Sequence, residues 1–291
     1  MAEEPETPDT PLQPEILYEP EGSVARITIN RPDKRNSLSA TAITALDDAY
    51  ARAGRDRTIR SVVLTGAGER AFCSGADLSS MFSEETPDGD GTNSDPGGTN
   101  APEAGPDPMV GGHEARGKLA RLFQTIWDLG KPSIARVRGY CLAGGFGLAM
   151  ACDLVIASDD SVFGTPEVKV GLWPYMITVP MLRSMPPKVA LDLMMTGRRV
   201  PAEEALRLGF VNRVVPAAQL DQAVAETAAA IAAGSPDAIK LGRTAFYRCL
   251  SMGPSEALDY LQAMLTVTTM TGDAQEGIAS FLEGRPPRWS R

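Results

Sequence analysis

Apolar positions fall into two regimes along the chain. As far as about residue 180, short strand-like runs alternate with helical stripes; beyond it, helical stripes follow almost alone. Structure is expected to begin near Ile16, with Val24, Ile27 and Ile29 marking a first strand ended by the turn Asn30-Arg31-Pro32. Leu38, Ala42, Ala45, Leu46 and Ala49 then recur at helical spacing, predicting a helix from Leu38 to Arg52 with Ser39 as its N-cap. Val62-Val63-Leu64 is wholly apolar and bounded by Gly66 and Gly68, the pattern of a strand covered on both faces. Leu119, Leu122, Phe123, Ile126 and Trp127 predict an amphipathic helix running to Leu129-Gly130. A strand over Ile134 to Val137, a glycine-rich turn, a helix over about Phe146 to Ala151 and a strand over 154–156 follow. Helices are then predicted over 188–195, 202–208, 220–233, 238–250 and 254–271, giving a mixed α/β region followed by a helical one.

Two segments break the pattern. Residues 1–14 are rich in Pro, Glu and Thr and read as a disordered tail. From Glu84 to Gly112 the chain is nearly all Glu, Asp, Pro, Gly, Thr and Asn, which reads as a disordered insertion, with a lid as the alternative.

Composition narrows the function. The 291 residues carry 28 Lys and Arg against 37 Asp and Glu, a net charge of −9, so a broad nucleic-acid face is not expected. No apolar run approaches the ~18 residues of a spanning helix, and the acidic start lacks a secretory pattern, so a cytoplasmic protein that binds no membrane is expected. Four cysteines without a C-x-x-C pair and a single histidine, His113, argue against disulfide scaffolding, metal sites and Ser-His-Asp chemistry.

Three segments hold candidate chemistry. Ala71 to Leu78 and Arg138 to Leu148 each place glycines at the end of a strand, where backbone N–H groups can approach a ligand; two such turns facing each other would make an oxyanion hole. Tight turns alone are the simpler alternative for either. A dinucleotide site is not supported, because Thr65-Gly66-Ala67-Gly68 lacks the third glycine and leads to no helix. In the third segment, Phe163 to Pro174, Glu167 follows Pro166 among apolar neighbours, where desolvation would suit it to proton transfer near neutral pH; an ordinary helix-start acid is the alternative.

Taken in order, these motifs resemble the crotonase family, also called the enoyl-CoA hydratase/isomerase family. The resemblance runs from Ile16 to Trp289 apart from the insertion. It takes in Ile29-Asn30-Arg31-Pro32 with Asn36-Ser37-Leu38, Ala71 to Asp77, Lys131 to Ala135, and the glycine turn through Asp153. Phe163 to Gly171, Thr196-Gly197, Ala202 to Leu208, and the tail Glu276-Gly277 with Phe281-Leu282-Glu283 complete it. It implies a spiral of ββα units over 15–200 and a helical region over 201–291 that builds homotrimers, often paired into hexamers. It implies an acyl-CoA thioester substrate and no separate cofactor, CoA being part of the substrate. Ala76 and Gly144 would supply the two N–H groups that hold the thioester oxygen, and Glu167 the catalytic carboxylate. Ser74, Asp77, Leu78, Gly145, Gly147 and Pro166 join them as expected substrate or CoA contacts. Trp173 and Tyr175 would line the acyl pocket, with core packing as the alternative. Lys131, Arg198 and Arg285 are candidates for CoA contacts, against simple surface solvation.

One departure matters. Family hydratases carry a second glutamate just after the glycine turn, and here that position is Gly147. A lone glutamate at position 167 resembles the Δ3,Δ2-enoyl-CoA isomerases, in which one carboxylate removes a proton from C2 and returns it to C4. Gly147 would then widen the pocket for a bulkier acyl group. The alternatives are a hydratase with another acid, Glu114 being one candidate, and a non-catalytic acyl-CoA-binding homologue.

Overall fold

The computed structural model describes residues 13–77 and 108–290. Leu78, the side chain of Glu114, and most of the expected tail and insertion lie outside the described residues.

Two sheets organise the described chain. The larger has the order β1-β2-β3-β5-β7-β10, with β1 (Ile16–Glu21), β2 (Val24–Ile29), β3 (Ser61–Gly66), β5 (Ser133–Val137), β7 (Leu154–Ser158) and β10 (Arg213–Val215). Only the β1–β2 pair is antiparallel. The smaller has the order β4-β6-β8-β9, with β4 (Ala71–Cys73), β6 (Tyr140–Leu142), β8 (Val162–Gly164) and β9 (Arg199–Pro201). β3, β5 and β7 each pass directly into a strand of the small sheet, and a helix follows, so the ββα unit repeats along the chain. All six residues of β3 are buried, as its unbroken apolar run requires.

The helices follow the stripes. Helix α1 (Ala40–Arg55) starts at Ser39, whose hydroxyl accepts from the Ala42 N–H at 2.9 Å, and runs three residues past the expected end at Arg52. Helix α2 (Pro108–Asp128) begins earlier than its apolar stripe, so the last five residues of the 84–112 stretch are helical rather than irregular. Proline suits the first position, where the missing N–H would have no partner. Helix α3 (Gly144–Ala151) has no polar face and is buried on every side, with Phe146 packed 5.7 Å from Phe163 and 5.3 Å from Phe210 between ring centroids.

Helices α4 (Thr178–Ser184), α5 (Pro187–Thr196) and α6 (Ala202–Arg207) follow, and α7 (Leu220–Ala232) lies against the large sheet through Leu220, Ala223 and Val224. α8 (Pro236–Cys249) is tied to the core by Arg243, which bonds Asp153 at 2.9 Å and the carbonyls of Ile126 and Trp127 at 2.9 and 2.6 Å. Beyond it, α9 (Pro254–Thr269) buries no residue and α10 (Gly272–Leu282) buries only Ser280. Among the described residues no helix is long and apolar enough to cross a membrane.

Candidate active site

The topology brings the three motifs together. β4, β6 and β8 are parallel neighbours, with Cys73 opposite Cys141, Cys141 opposite Phe163 and Leu142 opposite Gly164. Their C-terminal ends therefore release Ser74–Asp77, Ala143–Gly145 and Thr165–Glu167 at one edge of the small sheet.

At the first of these ends, Leu38 and Ala76 form an isolated parallel bridge: the Leu38 N–H donates to Gly75 O at 2.8 Å and the Asp77 N–H to Leu38 O at 3.0 Å. Because these bonds straddle Ala76, its own N–H faces away from Leu38. At the second end, Gly144 opens α3, where the first N–H groups of a helix lack intrahelical partners. A Cβ on Gly144 would sit 3.7 Å from Ala76 N, so the two N–H groups border one space that the absent side chain leaves open. Gly145 is required for another reason: its Cβ would fall 2.5 Å from Cys73 Cβ.

Ala143, the residue before α3, adopts φ 50° and ψ −128°, a conformation that glycine tolerates and other residues adopt at a cost of ~1–3 kcal/mol. Its N–H donates to Gly164 O at 2.9 Å, which holds it there. Its Cβ also lies 2.5 Å from where a Cβ on Gly75 would be, and Gly75 has φ 101°. Ala143→Gly removes the strain at some cost in unfolded-state entropy. The net expectation is about 1 kcal/mol of added stability, on the order of 2 °C in Tm by calorimetry.

At the third end, Pro166 and Glu167 open a 3-10 turn, Pro166–Val170, closed by Gly171 at φ 76°. Glu167 is half-buried, and its Oε2 atom has no hydrogen-bond partner among the described residues. Burial pushes its carboxyl above the ordinary carboxylate range, and a bond from its own N–H offsets part of that rise.

Other expected site residues are placed differently. Gly147 does not widen a pocket: a Cβ there would lie 2.8 Å from Ile177 Cβ, closer still to Ile177 Cγ2, and 3.1 Å from Phe123 Cζ. Ile177 leads into α4 and is 2% exposed, so the glycine serves close packing of α4 on α3. Asp77 turns its carboxylate to Arg31 at 3.0 Å. The Ser74 N–H donates to Arg35 O at 3.1 Å. Trp173 packs against the core, whereas Tyr175 is exposed.

The three basic candidates for CoA contacts are engaged within the chain. Lys131 donates to the carbonyls of Ala53 and Asp56 at the end of α1, and burial lowers its pKa. Arg198 lies 2.8 Å from both Asp192 and Glu204, and Arg285 pairs with Glu276 and Glu283. Two residues whose contacts order this edge, Arg31 and Asn36, carry no assigned role in the sequence reading. No local pattern marks Arg31, but Asn36 precedes a helix as a turn residue would, and it has φ 55°.

The comparisons with known proteins agree with this geometry. The chain matches the enoyl-CoA hydratase/isomerase family over residues 19–99 and 109–291. It belongs to that family. A putative enoyl-CoA hydratase of Thermus thermophilus is 34% identical over 272 residues, covering 92% of this chain and 98% of the relative. A carnitinyl-CoA dehydratase of Proteus mirabilis is 34% identical over 278 residues, covering 92% and 95%. The crystal structure of an enoyl-CoA hydratase from Mycobacterium smegmatis superposes with a TM-score of 0.84 at 30% identity, covering 96% of this chain and 100% of that one. The protein is thus a crotonase-fold enzyme acting on acyl-CoA, with the α/β core and C-terminal helices that the apolar pattern predicts and the spiral arrangement that the resemblance implies.

Proposed function

We propose that this family member is an enoyl-CoA isomerase, moving a double bond between the Δ3 and Δ2 positions of an acyl-CoA. The N–H groups of Ala76 and Gly144 hold the thioester oxygen, so negative charge that develops when a C2 proton leaves is stabilised as a dienolate. Glu167 takes that proton and returns it at C4; burial raises its pKa, which makes the carboxylate a stronger base toward the C2 proton. Atoms balance without water or any cofactor beyond the CoA of the substrate. The observation that carries this reading is the packing at Gly147, where Ile177 and Phe123 fill the place from which a second glutamate would extend.

The names of the relatives favour a second reading, hydration of a 2-enoyl-CoA. It requires another group to help Glu167 handle water. Incubating the purified protein with matched 3-enoyl and 2-enoyl thioesters and separating products by chromatography decides between them. The expected result is double-bond migration without 3-hydroxyacyl-CoA; accumulation of the hydroxy product establishes the hydratase instead. Inertness toward both thioesters, with binding retained, points to an unusual acyl group or to the non-catalytic homologue.

The working unit is proposed to be a homotrimer or a pair of trimers. The support is apolar surface on the last helices: Phe246, Leu258, Leu265, Met270, Ile278 and Phe281 are 59–85% exposed. Phe246 and Leu265 line one groove between α8 and α9 with Leu261 and Met264, and an apolar groove of this kind is a surface on which a second copy can pack. Light scattering is expected to give three or six times the 30.9 kDa chain mass, and a monomer overturns the assignment.

A further inference from the structure

Asp77, the residue that follows Ala76, is held by a side chain 46 residues away in sequence, that of Arg31. Three backbone bonds hold Ser74–Asp77, one from the Ser74 N–H to Arg35 O and two across the isolated bridge to Leu38. A side-chain tether adds to them. The Arg31 Nη2 lies 3.0 Å from Asp77 Oδ2, while Nη1 donates to Ser37 O at 2.6 Å and to Ser37 Oγ at 3.2 Å, and Nε lies 2.8 Å from Glu15 Oε1. The side chains of Arg31 and Asp77 are each 14% exposed, and all three guanidinium nitrogens are engaged, so this arginine is not poised to receive a ligand phosphate.

The anchor is itself rigid. The Arg31 N–H donates to Asn36 Oδ1 at 3.0 Å, and Asn36 Nδ2 donates to Ala71 O at 2.7 Å and Ala67 O at 3.0 Å, at and just before the start of β4. Asn36 is fully buried, and it and Arg35 both hold positive φ, so the loop is set in one conformation by its contacts. One guanidinium thus joins the entry to β1, the loop before α1 and the residue that follows Ala76.

We infer that Arg31 is a positioning residue: it grips the Asp77 carboxylate and thereby keeps the Ala76 N–H aimed into the space beside Gly144. The inference rests on the reading of Ala76 and Gly144 as the donors to the thioester oxygen. The planar fork matters more than the charge, because a compact ammonium lacks the spread of Nε, Nη1 and Nη2 that spans Glu15, Ser37 and Asp77 here.

The test uses the full chain with Arg31→Lys and Asp77→Asn variants. It follows the infrared carbonyl band of a bound saturated acyl-CoA labelled with 13C at the thioester carbon, together with kcat and KM. In the unmodified protein the band is expected below its position in free solution, because the donors polarise the carbonyl. In Arg31→Lys the band moves back toward the free position, kcat falls about 10–100-fold and KM stays within about threefold. Asp77→Asn does the same, and the double variant is no worse than the worse single one, as expected for two ends of one contact.

A raised KM with unchanged kcat and band overturns the inference in favour of direct CoA binding. A lowered Tm with unchanged kcat and band, or failure of both variants to fold, overturns it in favour of a purely structural role. No lowering of the band in the unmodified protein removes the donors themselves and the inference with them. A band sensitive to Arg31 in an enzyme that hydrates leaves the inference standing while the isomerase reading fails.

Discussion

Glu167→Gln is expected to lower kcat about 10²–10⁴-fold while acyl-CoA binding stays within a few-fold, because the amide keeps the shape of the carboxylate and cannot accept the proton. Steady-state kinetics with a 3-enoyl-CoA, alongside calorimetric titration with a saturated acyl-CoA, measure the two effects separately. Unchanged turnover would sink the assignment. Stability should move the other way. The folded-state pKa of Glu167 lies above its unfolded value, so the protonated group favours folding below the unfolded value of about 4.3, and that contribution is lost as pH rises through the folded value. Above the folded value the unmodified protein therefore holds an ionised carboxylate whose Oε2 lacks a partner among the described residues, whereas glutamine stays neutral. The variant is expected to melt higher than the unmodified protein at pH 8 and to lose that advantage near pH 4. Such a pair of opposite effects marks a group kept for chemistry at the expense of stability.

What the sequence made legible was set by how local each signal is. The Ser39 cap, the stripe of α1 and the unbroken run of β3 are read correctly because each depends on a few adjacent residues. The same capping signal exists at Thr271, whose hydroxyl accepts from the Ala274 N–H at 3.2 Å, and it divides the predicted helix over 254–271 from α10. β4, β6 and β8 are each three residues long, too short to show a period, yet their adjacency is what assembles the site. The resemblance placed Ala76, Gly144 and Glu167 in one site without showing how. The fates of Gly147 and Asp77 were illegible because their decisive neighbours, Ile177 and Arg31, lie 30 and 46 residues away. Lys131 reads as a surface base for a similar reason: nothing local shows that its ammonium turns back onto the end of α1.

Gly147→Glu, which restores the second hydratase glutamate, is expected to cripple folding rather than confer hydration. A glycine inside a helix ordinarily costs about 1 kcal/mol relative to alanine, so adding a side chain would help if space allowed. Here a Cβ would lie 2.8 Å from Ile177 Cβ and 3.1 Å from Phe123 Cζ, both in side chains 2% exposed, so even alanine must displace packed core. Overpacking by one methyl is expected to cost about 1–3 kcal/mol, which outweighs the gain in helix propensity. Glutamate adds an unpaired charge in the same place, for a further loss on the order of 3–5 kcal/mol against a total stability of about 5–15. In urea titrations Gly147→Ala should unfold earlier than the unmodified protein, and Gly147→Glu should be largely unfolded or recovered only as aggregate. Trimming the neighbour supplies the control: Gly147→Ala with Ile177→Gly removes both Ile177 atoms that the new Cβ meets, so the double variant is expected to lose less stability than the two single losses added together. If Gly147→Glu alone folds with an unchanged midpoint, Ile177 moves aside freely and the packing no longer explains the single carboxylate. If it folds and also hydrates 2-enoyl-CoA, the reaction course is set by the residue at 147 alone.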